Sequence, residues 1–275
     1  MKTLPLRIIS AVVALILLSL ITYYFKSHGV IWAGTILCLC GAFEYQKILF
    51  RKFQMPNLLR FWFLLVCSFL LFVTIFSTWT LAATWGVLIA TYFAGCLWIL
   101  KAKVENEDLL RAISLSALGF VYCAMLPSFA LTVLRLEHGE YWFLLLISCV
   151  FFGDIFAYFG GIWLGREKLM PNVSPNKTRA GAVAGLLGSI VAAVLVQHFG
   201  LPHVSLPALI FMAALAGILA QNGDLFESLI KRVAEVKDSG RIMPGHGGVL
   251  DRLDGVYFAA PLVYATAEYF QNIHT

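Results

Sequence analysis

The chain has 275 residues, of which 60% are hydrophobic and 13% charged, and a formal net charge of +5. Soluble domains carry roughly 25% charge, so this composition, with a mean hydropathy of +0.85, excludes an ordinary soluble globule. It indicates an all-α fold, a polytopic membrane helical bundle, whose basic loops suit anionic lipid head groups and not nucleic acid.

A bilayer core takes about 20 apolar residues per helix. About nine such stretches follow one another, near 6–25, 29–49, 61–78, 81–100, 113–134, 141–164, 181–199, 206–224 and 253–271. The first follows Lys2 and Arg7, as a signal peptide would. No small-x-small cleavage site precedes its bulky end at Tyr23, Tyr24 and Phe25, so it is read as an uncleaved first helix.

Lys and Arg in the loops give the orientation. With a cytoplasmic N-terminus, the inner side holds Lys2, Arg7, Lys47, Arg51, Lys52, Arg60, Lys101, Lys103, Arg111, Arg166, Lys168, Lys177, Arg179, Lys231, Arg232, Lys237, Arg241 and Arg252. Only Lys26 and Arg135 fall outside. All six cysteines lie within apolar runs and form no CxxC pair, which reads as packing. Glu44, at the inner end of the second stretch, is spaced to pair with Lys47 along a helix.

Two regions follow from this pattern: an N-terminal transmembrane helical region, 1–140, and a C-terminal region, 141–275, whose two cytoplasmic loops near 165–180 and 225–252 are the most polar parts of the chain. The sixth stretch carries Asp154 and the eighth ends at Asp224. A carboxylate in or at the lip of a membrane helix is costly and by default marks a working site. Nearby glycines 153, 160, 161 and 165 are read as close helix packing.

Asp224, Glu227, Ser228 and Lys231 fall at i, i+3, i+4 and i+7, one face of a helix. Downstream, Pro244 to Gly248 spell Pro-Gly-His-Gly-Gly, a tight turn whose backbone N–H groups can meet phosphate oxygens. Asp251 and Asp254 open the last helix, where carboxylates also suit the first turn. The other loop brings Ser174, Lys177, Thr178 and Arg179, hydroxyls and cations that suit a phosphate. Hard carboxylate oxygens hold Mg²⁺, which binds through one or two of them plus substrate phosphates.

These residues resemble the phosphatidate cytidylyltransferases. That family's signature runs Ser-x-x-Lys-Arg, four residues, Lys-Asp, then Pro-x-His-Gly-Gly and Asp-Arg-x-Asp. Here it reads Ser228, Lys231, Arg232, Lys237, Asp238, Pro244, His246, Gly247, Gly248, Asp251, Arg252 and Asp254, in order and spacing. Met243 stands where Leu, Ile or Phe is usual. Asp154, Ala157 and Tyr158 match a second segment, and Ser174, Pro175, Lys177, Thr178 and Gly181 a third. The chain departs at Arg179 and Ala180, where the family often has Trp and an acidic residue.

The resemblance implies a membrane cytidylyltransferase that joins CTP to phosphatidate, giving CDP-diacylglycerol and pyrophosphate, with Mg²⁺ and a second, monovalent cation such as K⁺. It implies Asp224 and Asp251 as metal ligands, with Asp154 and Asp254 as further candidates. Lys231, Arg232 and His246 join the two aspartates as the expected catalytic set. Ser174, Lys177, Thr178, Ser228, Lys237, Asp238, Gly247, Gly248 and Arg252 are the expected substrate contacts. His246 reads as a phosphate donor or turn-former before it reads as a base. Expected partners are CTP, phosphatidate, membrane lipids and a second copy of the chain. The expected setting is a bacterial inner membrane, with the site on the cytoplasmic side. Three other readings are open: a different lipid phosphate as acceptor, a non-catalytic paralogue, and an anion transporter.

Overall fold

A computed structural model describes residues 4–76, 81–100, 106–240, 242 and 247–274, with side-chain placements omitted for parts of these. Lys2, Lys101, Lys103, Arg241, Met243, Pro244 and His246 lie outside the described residues. The structure is helical nearly throughout. In chain order, the helices are α1 (Leu4–Tyr45), α2 (Asn57–Phe76), α3 (Leu81–Leu100), α4 (Asn106–Phe120), α5 (Leu126–Val133), α6 (Gly139–Leu164), α7 (Arg179–Gly200), α8 (Leu206–Val233) and α9 (Leu250–His274). Strands β1 (Lys168–Met170) and β2 (Ser174–Thr178) lie between α6 and α7.

Among the described residues, six helices are long and apolar enough to cross a membrane. The first two predicted stretches share α1, which breaks at Lys26, a residue with φ of 53° and ψ of −143°. A one-turn π segment, Gln46–Phe50, follows α1, and another, Val121–Met125, joins α4 to α5. The second abuts Pro127, which has no N–H to donate back into the preceding turn. Widening that turn is one way a helix continues past proline. Pro261 lies inside α9, where it removes one backbone donor from the helix.

The chain forms two compact units, Met1–Leu131 with Val233–Arg252, and Thr132–Arg232 with Leu253–Thr275. The stretch after α8, which holds much of the signature, thus groups with the N-terminal helices.

The core of the first unit is aromatic. Tyr45 is fully buried, stacks on Phe63 at 6.0 Å between ring centres, and meets Phe50 and Tyr122 edge-on. Its hydroxyl donates to the Leu115 carbonyl at 2.8 Å. A buried tyrosine needs such a partner, and this one pins the end of α1 against α4.

In the second unit, α6 and α7 pack closely along small residues. A Cβ on Gly160 would collide with the Ala184 Cβ, so the expected packing role of this glycine holds. The Ser189 hydroxyl donates to the Cys149 carbonyl at 2.8 Å, tying α7 to α6. Gln221 Nε2 donates to the Ala182 carbonyl at 3.0 Å, which sets α8 against α7 one turn before Asp224. The loop expected near 165–180 contains a short antiparallel hairpin, with Lys168 paired to Thr178 and Met170 to Ser174. The three intervening residues, Pro171, Asn172 and Val173, are enough for a hairpin turn, and strands of three and five residues are too short to show periodicity in sequence.

Candidate active site

The second unit carries the first cluster of polar groups. Asp224 stands eighteen residues past Leu206, about 27 Å along α8 at 1.5 Å per residue. The hydrocarbon core is about 30 Å thick, so a helix entering it at Leu206 brings Asp224 to its far edge. Glu227, Ser228, Lys231 and Arg232 follow in the last turns of α8.

Asp224 Oδ2 lies 2.5 Å from the ammonium nitrogen of Lys177, which β2 carries. Asp254 lies within electrostatic reach of Asp224, Asp154 and Lys177. Three helices and a strand of one unit thus put three carboxylates and a lysine within electrostatic range of one another, with direct contact given by the Lys177–Asp224 pair. A Cβ on Gly223 would collide with the Asp254 carbonyl; the missing side chain lets α8 and α9 approach closely at this level. Asp254 is half-buried and Asp154 exposed on α6. Part of the Asp254 carboxylate is used locally, Oδ1 accepting from the Gly255 amide at 2.8 Å.

The residues around this cluster hold one another. Lys231 pairs with Glu227 one turn earlier, and Glu227 is only 1% exposed. Arg232 Nε donates to the Val173 carbonyl at 3.3 Å, linking the end of α8 to the hairpin. Thr178 is buried, and its hydroxyl accepts from the Gly181 amide at 3.1 Å, capping α7. Its expected substrate role therefore sits beside a structural one. Ser174 and Ser228 are half-buried. Arg179, where the sequence departs from the family, pairs with Glu167 across the base of the hairpin at 2.9 Å.

The first unit carries the second cluster. Asp251 stands in the first turn of α9, and its Oδ2 accepts from the Gly248 amide at 2.8 Å and the Ser239 amide at 3.0 Å. The Ser239 hydroxyl oxygen also lies 3.0 Å from it, its one proton shared with a second carboxylate. Gly247 has φ of 86°, the left-handed region that glycine enters without a Cβ penalty, and Gly248 is buried. Lys237, Asp238 and Arg252 are exposed.

Sequence reasoning missed Glu44. It does not turn to Lys47: its Oε2 accepts from the Ser239 hydroxyl and the Leu250 amide, both at 3.0 Å, and the side chain is 1% exposed. An acidic residue following an apolar run is the only signal that could have flagged it. Helical spacing misdirects, because the partners lie 195 and 206 residues away.

The residues of the second unit suit a divalent ion in kind. Mg²⁺ needs only one or two protein carboxylates when phosphates complete its shell, and Asp224 already holds a cationic group. Among the described residues, no three His, Cys, Asp or Glu side chains stand close enough to cage a metal by themselves.

The model of the cytidylyltransferase family matches residues 5–270. The chain belongs to that family. It is 31% identical over 187 residues to a phosphatidate cytidylyltransferase of Thermotoga maritima, covering 66% of this chain and 69% of that one. It is 38% identical over 180 residues to a phosphatidate cytidylyltransferase of Brucella abortus, covering 62% of each. With one from Synechocystis it shares 44% identity over 122 residues, 44% of this chain and 41% of the other. The cytidylyltransferase signature thus lies on a chain that matches the family almost end to end.

Proposed function

We propose that this cytidylyltransferase condenses CTP with phosphatidate at the membrane surface, giving CDP-diacylglycerol and releasing pyrophosphate. The family match across residues 5–270 carries the reading, and the convergence of Asp154, Asp224, Asp254 and Lys177 in the second unit supports it.

The phosphatidate oxygen attacks the α-phosphorus of CTP in line, and the bond to the pyrophosphate oxygen breaks. A phosphate monoester is already largely ionised near pH 7, so no strong general base is needed. The main obstacle is repulsion between two anions, which positioned cations offset. Lys177, Lys231, Arg232 and Arg252 supply positive charge on this chain. Ser174, Thr178, Ser228, Lys237, Asp238, Gly247 and Gly248 are the proposed substrate contacts, with His246 as a phosphate donor. Asp224 and Asp251 are the proposed Mg²⁺ ligands, Asp154 and Asp254 further candidates, and a monovalent ion such as K⁺ is proposed with them. When bound, Mg²⁺ neutralises phosphate oxygens and polarises the α-phosphorus.

The distribution of basic residues supports a site on the cytoplasmic side of a bacterial inner membrane with a cytoplasmic N-terminus, and nine crossings and a second copy as partner belong to the same proposal. Purified protein with Mg²⁺ and CTP, offered phosphatidate beside isoprenoid and other lipid phosphates, tests the substrate. Phosphatidate should be consumed fastest. Preference for another lipid phosphate would reassign the acceptor, and CTP-independent uptake of an anion by proteoliposomes would replace the enzymatic reading with transport.

A further inference from the structure

Glu44 belongs to no motif, yet among the described residues it is the most thoroughly enclosed carboxylate of the first unit. The chain around it is held by neighbouring contacts. Tyr45 is locked in the aromatic core by Phe63, Phe50 and Tyr122 and by its bond to the Leu115 carbonyl. The π segment Gln46–Phe50 begins immediately afterwards, a local irregularity that often marks functional positions. Glu44 therefore projects from a packed segment.

What it touches is the signature segment. Oε2 accepts from the Ser239 hydroxyl and from the Leu250 amide at the start of α9. The same Ser239 hydroxyl also lies 3.0 Å from Asp251 Oδ2, and the Ser239 amide donates to that oxygen as well. Ser239 is 2% exposed, so its one hydroxyl proton, shared between the two carboxylates, is shielded from solvent. The surrounding backbone is shaped to admit Glu44. A Cβ on Gly240 would collide with Glu44 Oε1, and one on Gly248 would collide with Ser239 Oγ and Glu44 Oε2. The second glycine of the Gly-Gly pair thus makes room for this carboxylate and for Ser239, while its amide holds Asp251.

We infer that Glu44 is a positioning residue, which fixes the Asp251 carboxylate through Ser239 and the Leu250 amide. The inference rests on the reading of Asp251 as a ligand for a divalent ion. A ligand held by buried donors loses its orientation when the group that orders those donors is removed, and outer partners of metal ligands are typically worth 10–100-fold in affinity.

Mn²⁺ binding to the full-length protein in detergent, followed by electron paramagnetic resonance, tests this. Asp251→Asn should weaken binding. Glu44→Ala should weaken it by roughly 10-fold, with Glu44→Gln, which keeps one accepting oxygen, falling between. In the Asp251→Asn background, Glu44→Ala should add less than about twofold, because coupled residues are not additive. Wild-type Mn²⁺ affinity in both Glu44 variants beside a weakened Asp251→Asn would overturn the inference and leave the metal reading intact. Wild-type affinity in Asp251→Asn itself would overturn the metal reading. Amide exchange then decides the positioning role separately: Glu44→Gln should speed exchange at Ser239 and Gly248, whose amides meet Asp251, as well as at Leu250. Unchanged protection at Ser239 and Gly248 would show that Glu44 fixes nothing beyond its own contact.

Discussion

Replacing Asp224 with Asn separates a structural ion pair from a working one. The change keeps the shape of the side chain and removes its charge. Asp224 and Lys177 meet at 2.5 Å with side chains 39% and 24% exposed. Partly solvated pairs of this kind are worth about 1 kcal/mol or less, so thermal unfolding in detergent should fall by only a few degrees. The activity should fall far more. Outer partners of metal ligands alone cost 10–100-fold, so losing Asp224, the proposed direct ligand, should lower turnover by at least about 100-fold. The assay is transfer of labelled cytidine from CTP to phosphatidate across a Mg²⁺ titration, with unfolding measured on the same preparation. Turnover within about threefold of wild type would refute the assignment. So would a loss that merely tracks unfolding.

Thr178→Ala should destabilise the protein by about 1 kcal/mol through loss of the α7 cap, with Thr178→Ser restoring most of it; equal unfolding of all three would show that the hydroxyl does not cap. Gly160→Ala should destabilise by about 1–3 kcal/mol through overpacking, and the partner change Ala184→Gly should recover much of the loss because the collision is between those two Cβ positions. The hydrogen bond from Lys52, and then its charge, hold the Glu235 carboxyl below its ordinary value of 4.5. A lowered folded-state pKa gives stability that is present above the unfolded value and lost as pH falls through the folded one. Glu235→Gln should therefore remove a small stability difference seen at neutral pH and leave acid stability, below that range, unchanged; identical pH–stability curves for the two proteins would contradict the pairing.

What the sequence shows and what it conceals divide along the range of the interactions. The apolar runs mark the helices because each must satisfy its own backbone in lipid, and Asp154 and Asp224 stand out because charge there is costly. Their convergence with Asp254 and Lys177 is legible as a shared chemistry, but not as contacts. The Lys177–Asp224 pair needs β2 folded back beside α8, and the short hairpin that carries Lys177 has no periodicity to announce it. Arg179 reads in sequence as a departure from the family, whereas in the fold it has its own partner in Glu167. Glu44 was the least legible. Local spacing offers Lys47, and only the fold brings Ser239 and Leu250 to it. Residues 234–252 likewise follow α8 in sequence but belong with the N-terminal unit, a non-local grouping that composition does not encode.

The most direct measurement of the central claim follows two labels through one reaction. Purified protein is given phosphatidate, Mg²⁺ and CTP labelled at either the α- or the γ-phosphorus. Cytidylyl transfer predicts that the α label enters the lipid while the γ label leaves as pyrophosphate, in equal amounts. A γ label in the lipid, or release of inorganic phosphate with no labelled lipid, would contradict it.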